Sequence, residues 1–349
     1  MSLNLRTFLV CLLACQNTLG QDLPSLDEAQ EAVIAYRKSI VSGRFVFHSK
    51  HFENTVHKAE LDTKIDARIS DDMLRCDVWV RYPDQKTGDM YPRVECRNCE
   101  RPGHYLIYNE MFKGSEEALT SLSLRSYDDA NADKASWLTI DPRLAGLAPT
   151  NLSFIAKYDI ATFVMPEDCR NISIAWDEFH GRNCWLVQYR NSADFPVRYW
   201  VDPNQGPSVV RMECDLFGGT PNEVLASMES DYSWHEKSKY WYPLRLTYAA
   251  KYRDGGSSKE EVDVEVVSIN EGLRSEDFQL VGMGIEHGTR ITTDEEIVGT
   301  AYWNGKEIEY DSFQDAQLKS TSFVTWLLSI GSVGMGVTAI WLVIQRRWS

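Results

Sequence analysis

The residues whose type and spacing most suggest a chemical role are Cys96 and Cys99, which form a Cys-Arg-Asn-Cys motif. This spacing occurs in thiol–disulfide oxidoreductases, where a helix N-terminus lowers the pKa of one thiol. Here no helical run follows the second cysteine. Adding Cys76 and His104 would give the three thiolates and one imidazole that bind zinc, but no second close cysteine pair supports such a site. We therefore expect neither redox catalysis nor a bound metal or cofactor.

Disulfide bonds are the preferred explanation for these cysteines. The sequence contains eight cysteines, of which Cys11 and Cys15 lie in an apolar N-terminal segment, leaving six. An even number in an exported chain favours disulfides, although about 15 full pairings exist and the sequence does not choose among them. A bond from Cys76 to Cys96 or Cys99 across a hairpin is the first expectation. The candidates are Cys76, Cys96, Cys99, Cys169, Cys184 and Cys214.

Other residues that could support catalysis are not arranged for it. His48, His51 and His57 are spaced by three and six residues, which fits neither a metalloprotease helix nor one face of a strand. His180 follows acidic residues in a turn, with no nucleophile close in sequence. The sequence also lacks a Gly-x-Ser-x-Gly motif, a phosphate-binding glycine loop and a dinucleotide-binding fingerprint. The chain is therefore not expected to be an enzyme.

The N-terminus has the pattern of an export signal. An arginine precedes an apolar run over residues 7–14, and small residues stand at positions 18 and 20, just before a cleavage point. Residues 1–20 are therefore predicted to be a signal peptide. Cys15 also lies in a sequence similar to a lipoprotein processing box, so lipidation of this residue is an open alternative.

The C-terminus is predicted to anchor the chain in a membrane. An uncharged run over residues 323–344 is long enough to span a hydrocarbon core as a helix. The arginines that follow it stay in the cytoplasm under the positive-inside rule, so the bulk of the chain lies outside. The expected parts are an exported, periplasmic domain (21–296), a short extra strand or juxtamembrane linker (297–321), the transmembrane helix (322–345) and a basic cytoplasmic tail (346–349).

The charge balance excludes one class of partner. Lys and Arg total 36 against 51 Asp and Glu, which gives a formal net charge of −15 at pH 7. A chain this acidic repels the phosphate backbone, so nucleic acid is not an expected partner. The remaining expectations are the membrane, a lipid or lipoprotein ligand, and another envelope protein.

The elements that must position any site are mostly strands. Ser25 and Glu28 have the spacing of a helix capping box, and the pattern after them predicts one amphipathic helix to about Ser42, with Arg37 on its exposed side. Beyond it, apolar and polar residues alternate with period two, as in VDVEV at 262–266. Short turn sequences favour antiparallel pairing. The predicted fold class is mainly β (a β-rich α+β fold): a curved antiparallel half-barrel sheet with an N-terminal helix, a few short helices and one C-terminal transmembrane helix.

One stretch interrupts the alternation of the strands. Residues 115–149 combine a helix-compatible segment at 115–122 with a loop at 141–146 that contains Pro and Gly. We expect this stretch to form a lid, or a hinge between two halves of the sheet.

The order of these elements resembles the LolA-like superfamily of lipoprotein carrier and sorting proteins. The resemblance covers roughly residues 26–291 and rests on strand order and spacing, without a catalytic signature. It implies an open half-barrel whose concave, apolar side receives acyl chains. Shuttle members of the family use an interior arginine, but no local motif identifies an equivalent here. The segments that carry the resemblance are CWLVQYRN (184–191), RYWVDP (198–203), SVVRMEC (208–214), the Trp-Tyr-Pro start at 241 and the closing segment 270–280.

Aromatic residues on the strands are the candidates for lining such a pocket. An open sheet with few helices can leave them uncovered, although aromatics also pack ordinary β cores. Because a tethered chain cannot shuttle, the expected function is a membrane-anchored binding protein for a lipid or acylated ligand. The alternative is a structural or regulatory envelope protein that acts through protein contacts without a ligand. The candidate lining residues are Trp79, Tyr105, Tyr108, Trp185, Tyr199, Trp200 and Tyr242.

Overall fold

One helix and sixteen strands, with four short 3-10 helices, are found in the described part of the chain. The computed structural model describes residues 22–53, 60–81, 91–98, 104–111, 119–126, 140–147, 169–191, 194–215, 226–252, 255–293 and 301–310. Helix α1 spans Leu26–Lys38. The strands are β1 Ser42–Glu53, β2 Glu60–Ser70, β3 Met73–Arg81, β4 Tyr91–Arg97, β5 His104–Met111, β6 Leu119–Ser126, β7 Arg170–Phe179, β8 Arg182–Arg190, β9 Pro196–Asp202, β10 Ser208–Cys214, β11 Ala226–His235, β12 Tyr240–Lys251, β13 Ser257–Ile269, β14 Arg290–Thr293, β15 Ala301–Trp303 and β16 Ile308–Tyr310.

The predicted signal peptide and transmembrane helix both lie outside the described residues. Within the ranges given above, no helix combines the length and apolar character needed to cross a membrane.

Helix α1 begins at the predicted capping box. The Ser25 hydroxyl accepts a hydrogen bond from the Glu28 N–H at 3.3 Å, and the Glu28 carboxylate accepts one from the Ser25 N–H at 2.8 Å. The helix ends at Lys38 rather than near Ser42, because Ser42 is already the first residue of β1 and pairs with β2. The prediction of one N-terminal helix is confirmed, and its end was placed too late.

All sixteen described strands belong to one sheet, in the order β16-β15-β14-β6-β5-β4-β3-β2-β1-β13-β12-β11-β10-β9-β8-β7. Neighbouring strands pair antiparallel, except that β14 pairs parallel with β6. The helix considered for residues 115–122 is wrong from residue 119 onward, because β6 pairs with β5 along its whole length. The mainly β, antiparallel prediction is confirmed with this one parallel pair.

Two large apolar clusters and one small cluster, formed by Cys184, Trp200 and Val210, cover the described sheet. We call the first the main cluster; it joins buried side chains of α1, β1–β3, β8–β13 and residues 140–147. The second cluster joins β4–β6, β14 and β15 to the segment 278–285. In β13, Val262 and Val264 are buried in the main cluster while Asp263 is exposed, so the predicted alternation is confirmed. The apolar partner of that strand is the protein's own core.

The predicted bond between Cys76 and Cys96 is wrong because these residues lie on opposite faces of the sheet. Cys76 is paired with Glu95, and Cys96 with Arg75. Directly opposed residues share a face and successive residues alternate, so one thiol enters the main cluster and the other the second cluster. Cys99 lies outside the described residues. The described cysteines, which form no disulfide with one another, are Cys76, Cys96, Cys169, Cys184 and Cys214.

Two of these thiols are expected to resist alkylation in the folded protein. Burial raises the pKa of Cys184 to about 12 and, likewise, burial raises the pKa of Cys214 to about 12. At pH 8 both groups are therefore neutral thiols, and the thiolate is the nucleophile. Iodoacetamide at pH 8 should leave both unmodified until the protein is unfolded in guanidinium, as measured by peptide mass spectrometry. Labelling of the folded chain at the rate of the unfolded one would contradict this assignment.

Candidate ligand-binding interior

Helix α1 lies against the inner face of the sheet, which we define as the face that contacts it. The helix contributes Val33 to the main cluster, and Ala29, one turn earlier on the same side, is also buried. The same cluster receives Val78 from β3 and Val187 from β8, strands that are eight places apart in the sheet order. Helix α1 contacts β7 at one edge of the sheet, and its Tyr36 ring stacks on Tyr240 of β12, five places away in the sheet order. The sheet therefore extends across this side of the helix. The interior between helix and sheet is the candidate site.

Arg37 is the central polar residue of this interior. Its exposed fraction is 0%, so the sequence prediction of an exposed position is wrong. Arg37 follows Val33 by four residues and Ala29 by eight, which places it on the buried side of the helix. The helical period therefore predicts that Arg37 is buried. The charge of its side chain predicts the opposite, because arginine is rarely buried without a partner.

The guanidinium group of Arg37 is only partly satisfied. Nη2 donates a hydrogen bond to Tyr232 Oη at 2.6 Å, and Cζ lies 5.7 Å from the ring centroids of both Tyr232 and Tyr242. Nε and Nη1 are buried and have no hydrogen-bond partner among the described residues. Arginine keeps its charge in proteins, so a cation with two unused donors faces the interior.

Arg75 shows how a buried arginine is satisfied elsewhere in the same sheet. Its Nε and Nη2 donate to the Asp77 carboxylate at 2.7 and 2.9 Å. Its Nη1 donates to the carbonyls of Asp277 and Gly282 at 2.7 and 3.0 Å. Burying an ion without such partners costs several kcal/mol. By comparison, Nε and Nη1 of Arg37 have no acceptor among the described residues.

Tyrosine side chains hold the end of α1 that carries Arg37. The rings of Tyr36 and Tyr240 stack with their centroids 4.3 Å apart. Tyr36 Oη donates to the Trp241 carbonyl at 3.1 Å and accepts from the Trp241 N–H at 2.8 Å. Burial raises the pKa of Tyr232 and of Tyr242, so their hydroxyls stay protonated and remain hydrogen-bond donors. The helix end is thus fixed on β12, and the position of Arg37 is fixed with it.

Gly206 leaves room for the Tyr36 ring, and its replacement should destabilise the protein. Its φ is +64°, and a Cβ would lie 2.2 Å from Tyr36 Cζ. We expect Gly206→Ala to lower the free energy of unfolding by about 2–5 kcal/mol, combining backbone strain with overpacking. Gly181→Ala is the control, because its φ is +75° but nothing lies within 4 Å of its Cβ. Urea unfolding should show a clearly larger loss for Gly206→Ala, and equal losses would contradict the clash.

Residues 140–147, which we call the inner segment, fill the space beside α1. Ile140, Leu144 and Leu147 are almost fully buried in the main cluster. The Tyr242 hydroxyl donates to the Pro142 carbonyl at 2.7 Å, and the Cys76 Sγ lies 3.4 Å from both the N and O of Ile140. The interior of the described chain is therefore occupied by protein side chains, including the apolar groups of the inner segment.

The predicted lining residues do not all share one site. Trp185, Tyr199 and Tyr242 contact the main cluster. Trp200 follows Tyr199 directly and so faces the opposite side of β9, where it packs with Cys184 and Val210 and donates to Asp177 at 2.8 Å. Adjacent strand residues cannot both line one pocket.

Two of the three other predicted residues lie outside the main cluster. Tyr108 is buried in the second cluster. Trp79 is half-buried, with the Lys64 amine 5.3 Å from its ring centroid. The side chain of Tyr105 lies outside the described residues. The lining of the candidate site is therefore smaller than the sequence predicted, and the residues missed are Arg37, Tyr36 and Tyr232.

A separate pocket opens near one end of the sheet. It has a volume of about 230 Å³ and is lined by residues of β7–β10, including Arg190, Arg198, Glu213 and Asp215. This is smaller than the roughly 300–1,000 Å³ of typical small-molecule sites. Among the residues that the structure describes, no group of three or more His, Cys, Asp or Glu side chains is placed to hold a metal ion.

Comparison with known proteins gives a limited result. No protein-family model and no curated protein matches the sequence. Among solved structures, the chain is similar to a domain described as an outer membrane lipoprotein-sorting protein from Vibrio parahaemolyticus (10% identity, TM-score 0.37) and to a LolA superfamily protein from Nitrosomonas europaea (7%, 0.37). It is also similar to LprF from Mycobacterium bovis (12%, 0.26). These matches cover 72–73% of this chain and 97% of each of theirs.

The descriptions of the first two structures name the superfamily that the sequence resembles. At these TM-scores the matches carry no argument about function. The arrangement of this chain, one N-terminal helix held against a curved antiparallel sheet, rests on the strand order and burial given above.

Proposed function

We propose that the interior binds a ligand with an acyl chain and an anionic or carbonyl head group. The head group would accept hydrogen bonds from Nε and Nη1 of Arg37, and the chain would lie where the inner segment now packs. The observation that carries this proposal is the buried guanidinium with two unpartnered donors. A sheet packed only for stability gains nothing from a buried cation of this kind, since apolar groups of similar volume are often equally or more stable.

Burial of one acyl chain can offset the free energy needed to displace the inner segment. Exposing its three large apolar side chains costs roughly 5–9 kcal/mol, at about 1.5–3 kcal/mol each. Burying about 14 methylene groups contributes roughly 11 kcal/mol at about 0.8 kcal/mol each. A chain of about 14–16 carbons is therefore long enough to replace the segment, whereas a chain of six carbons is not.

The filled interior also favours the second candidate function, a structural or regulatory envelope protein. In that case the inner segment is a permanent part of the core, and the protein acts through contacts with another protein. The two functions differ in one property: only the ligand-binding function requires residues 140–147 to leave the main cluster.

The same proposal includes the location of the protein in the cell. Export by residues 1–20 and anchoring by residues 322–345 would place the binding domain in the periplasm at a membrane surface, where acylated molecules are available. A tethered binding protein would receive or hold its ligand rather than carry it between membranes.

Extraction of the purified protein tests this function. The full chain is purified in a mild detergent and extracted with chloroform and methanol, and the extract is analysed by mass spectrometry. We expect one acylated molecule with an anionic or carbonyl head per chain from the native protein, and none from Arg37→Met. Arg274→Met, which replaces an exposed arginine, is the control and should retain the ligand. Equal extracts from all three proteins would contradict a site at Arg37.

A further inference from the structure

Strand β7 is a long edge of the sheet that carries exposed apolar residues. Among the strands that the structure describes, it is paired with β8 only. Its backbone runs for ten residues, whereas β16 at the opposite edge has three. Short edge strands are one way in which proteins avoid edge-to-edge pairing. The β7 strand is too long to be protected in this way, and its one register irregularity lies at its start, between Arg170 and Ser173, where Asn171 has a φ of +52°.

The apolar residues of β7 form a single row. Ile172, Ile174 and Trp176 alternate along the strand and therefore point to the same face. Ile174 packs against the main cluster, while Ile172 and Trp176 are 43% and 41% exposed. An edge strand with exposed apolar side chains and unpaired backbone groups is a template for another strand.

The sequence of β7 is complementary to itself in one antiparallel register. When two copies are related by a two-fold axis through Ile174, Ile172 of each copy lies opposite Trp176 of the other. Ile174 then lies opposite its own copy, and the apolar rows of the two copies combine into one ladder on a single face. Cross-strand aromatic and β-branched pairs of this kind contribute roughly 0.2–1 kcal/mol each.

The charges of β7 support the same pairing. The strand begins with Arg170 and ends with Asp177 and Glu178. Antiparallel pairing places the basic end of each copy beside the acidic end of the other. Arg170 also lies opposite Arg190 on β8, and like charges in that relation are destabilising. Neither Arg170 nor Glu178 forms an ion pair with a described residue.

We propose that β7 is a homodimerisation edge, at which two copies of this chain join their sheets antiparallel in the register centred on Ile174. The partner is a second copy because one register pairs the apolar residues of the two strands with each other. The same register places the basic end of each strand beside the acidic end of the other. This inference does not depend on the ligand proposed for the interior.

Cysteine substitution tests the register directly. In the full chain, held in a mild detergent, Ile174→Cys should form an intermolecular disulfide under mild oxidation, because each residue 174 faces its own copy. Ile172→Cys is the matched control, since residue 172 faces residue 176. We expect about tenfold more linked dimer from Ile174→Cys, because a disulfide requires Cα atoms within about 7 Å. Equal linking from both positions would overturn the register.

Light scattering of the same samples tests the dimer itself. The native chain should have twice the protein mass of one copy, and Ile172→Lys should be monomeric, because an edge lysine blocks strand pairing. Leu244→Lys is the control: Leu244 is 45% exposed but lies on β12, inside the sheet. It should remain dimeric. A native monomer, or a dimer that survives Ile172→Lys, would overturn the proposal.

Discussion

Arg37→Met is expected to abolish binding of an acylated ligand while leaving the ligand-free protein at least as stable as the native chain. Arg37 has no carboxylate partner among the described residues, and two of its donors are unused. Replacing such a buried ion by an apolar side chain of similar size is often neutral or stabilising, by about 1–4 kcal/mol. Urea unfolding measures the stability, and binding of radiolabelled palmitate to the full chain in nanodiscs measures the function.

Arg75→Met is the matched control, and its expected result has the opposite sign. Arg75 is also buried, but removing it would leave the Asp77 carboxylate with only the Arg68 ion pair at 3.3 Å, and two backbone carbonyls without the Arg75 donor. Breaking a satisfied buried pair costs about 3–5 kcal/mol, while palmitate binding should persist. If Arg37→Met lost as much stability as Arg75→Met, Arg37 would be a structural residue and the proposed function would lose its support.

Leu144→Ala is expected to increase the affinity for the ligand, although it removes part of the core. Leu144 is 1% exposed and belongs to the inner segment. Its truncation should cost about 2–5 kcal/mol of folding stability. The ligand no longer needs to displace that side chain, so the cost of opening falls by about 2 kcal/mol, which corresponds to about 30-fold tighter binding. Palmitate titration of the full chain in nanodiscs measures this change.

Leu106→Ala separates this effect from general destabilisation. Leu106 is equally buried but belongs to the second cluster, away from the inner segment. It should lose similar stability without any gain in affinity. A native-like or weaker affinity for Leu144→Ala would mean that the inner segment stays in place when the ligand binds.

The strands were predictable from the sequence because one face of each meets the core. Val262 and Val264 alternate with acidic residues, and their burial follows the period. The capping box likewise placed the start of α1. The order of the strands in the sheet was not predictable in detail, since pairing β14 parallel with β6 joins residues about 170 positions apart and leaves no local signal.

The site was less predictable than the fold. Aromatic residues were chosen by type, but Tyr199 and Trp200 are adjacent and must face opposite sides of β9. Arg37 was assigned to solvent because charged side chains are rarely buried without a partner. That general rule fails at this position, and residues that depart from it are often functional. The helical period alone, applied without regard to charge, would have placed Arg37 inside.

Photolabelling with a palmitate that carries a diazirine in its chain tests the central claim most directly. The full chain is held in phosphatidylcholine nanodiscs, irradiated with the probe and mapped by peptide mass spectrometry. We predict label within residues 26–38 and 240–248 of the native protein, competed by unlabelled palmitate and lost in Arg37→Met. Label confined to other peptides, or unchanged in Arg37→Met, would contradict an interior site for an acyl ligand.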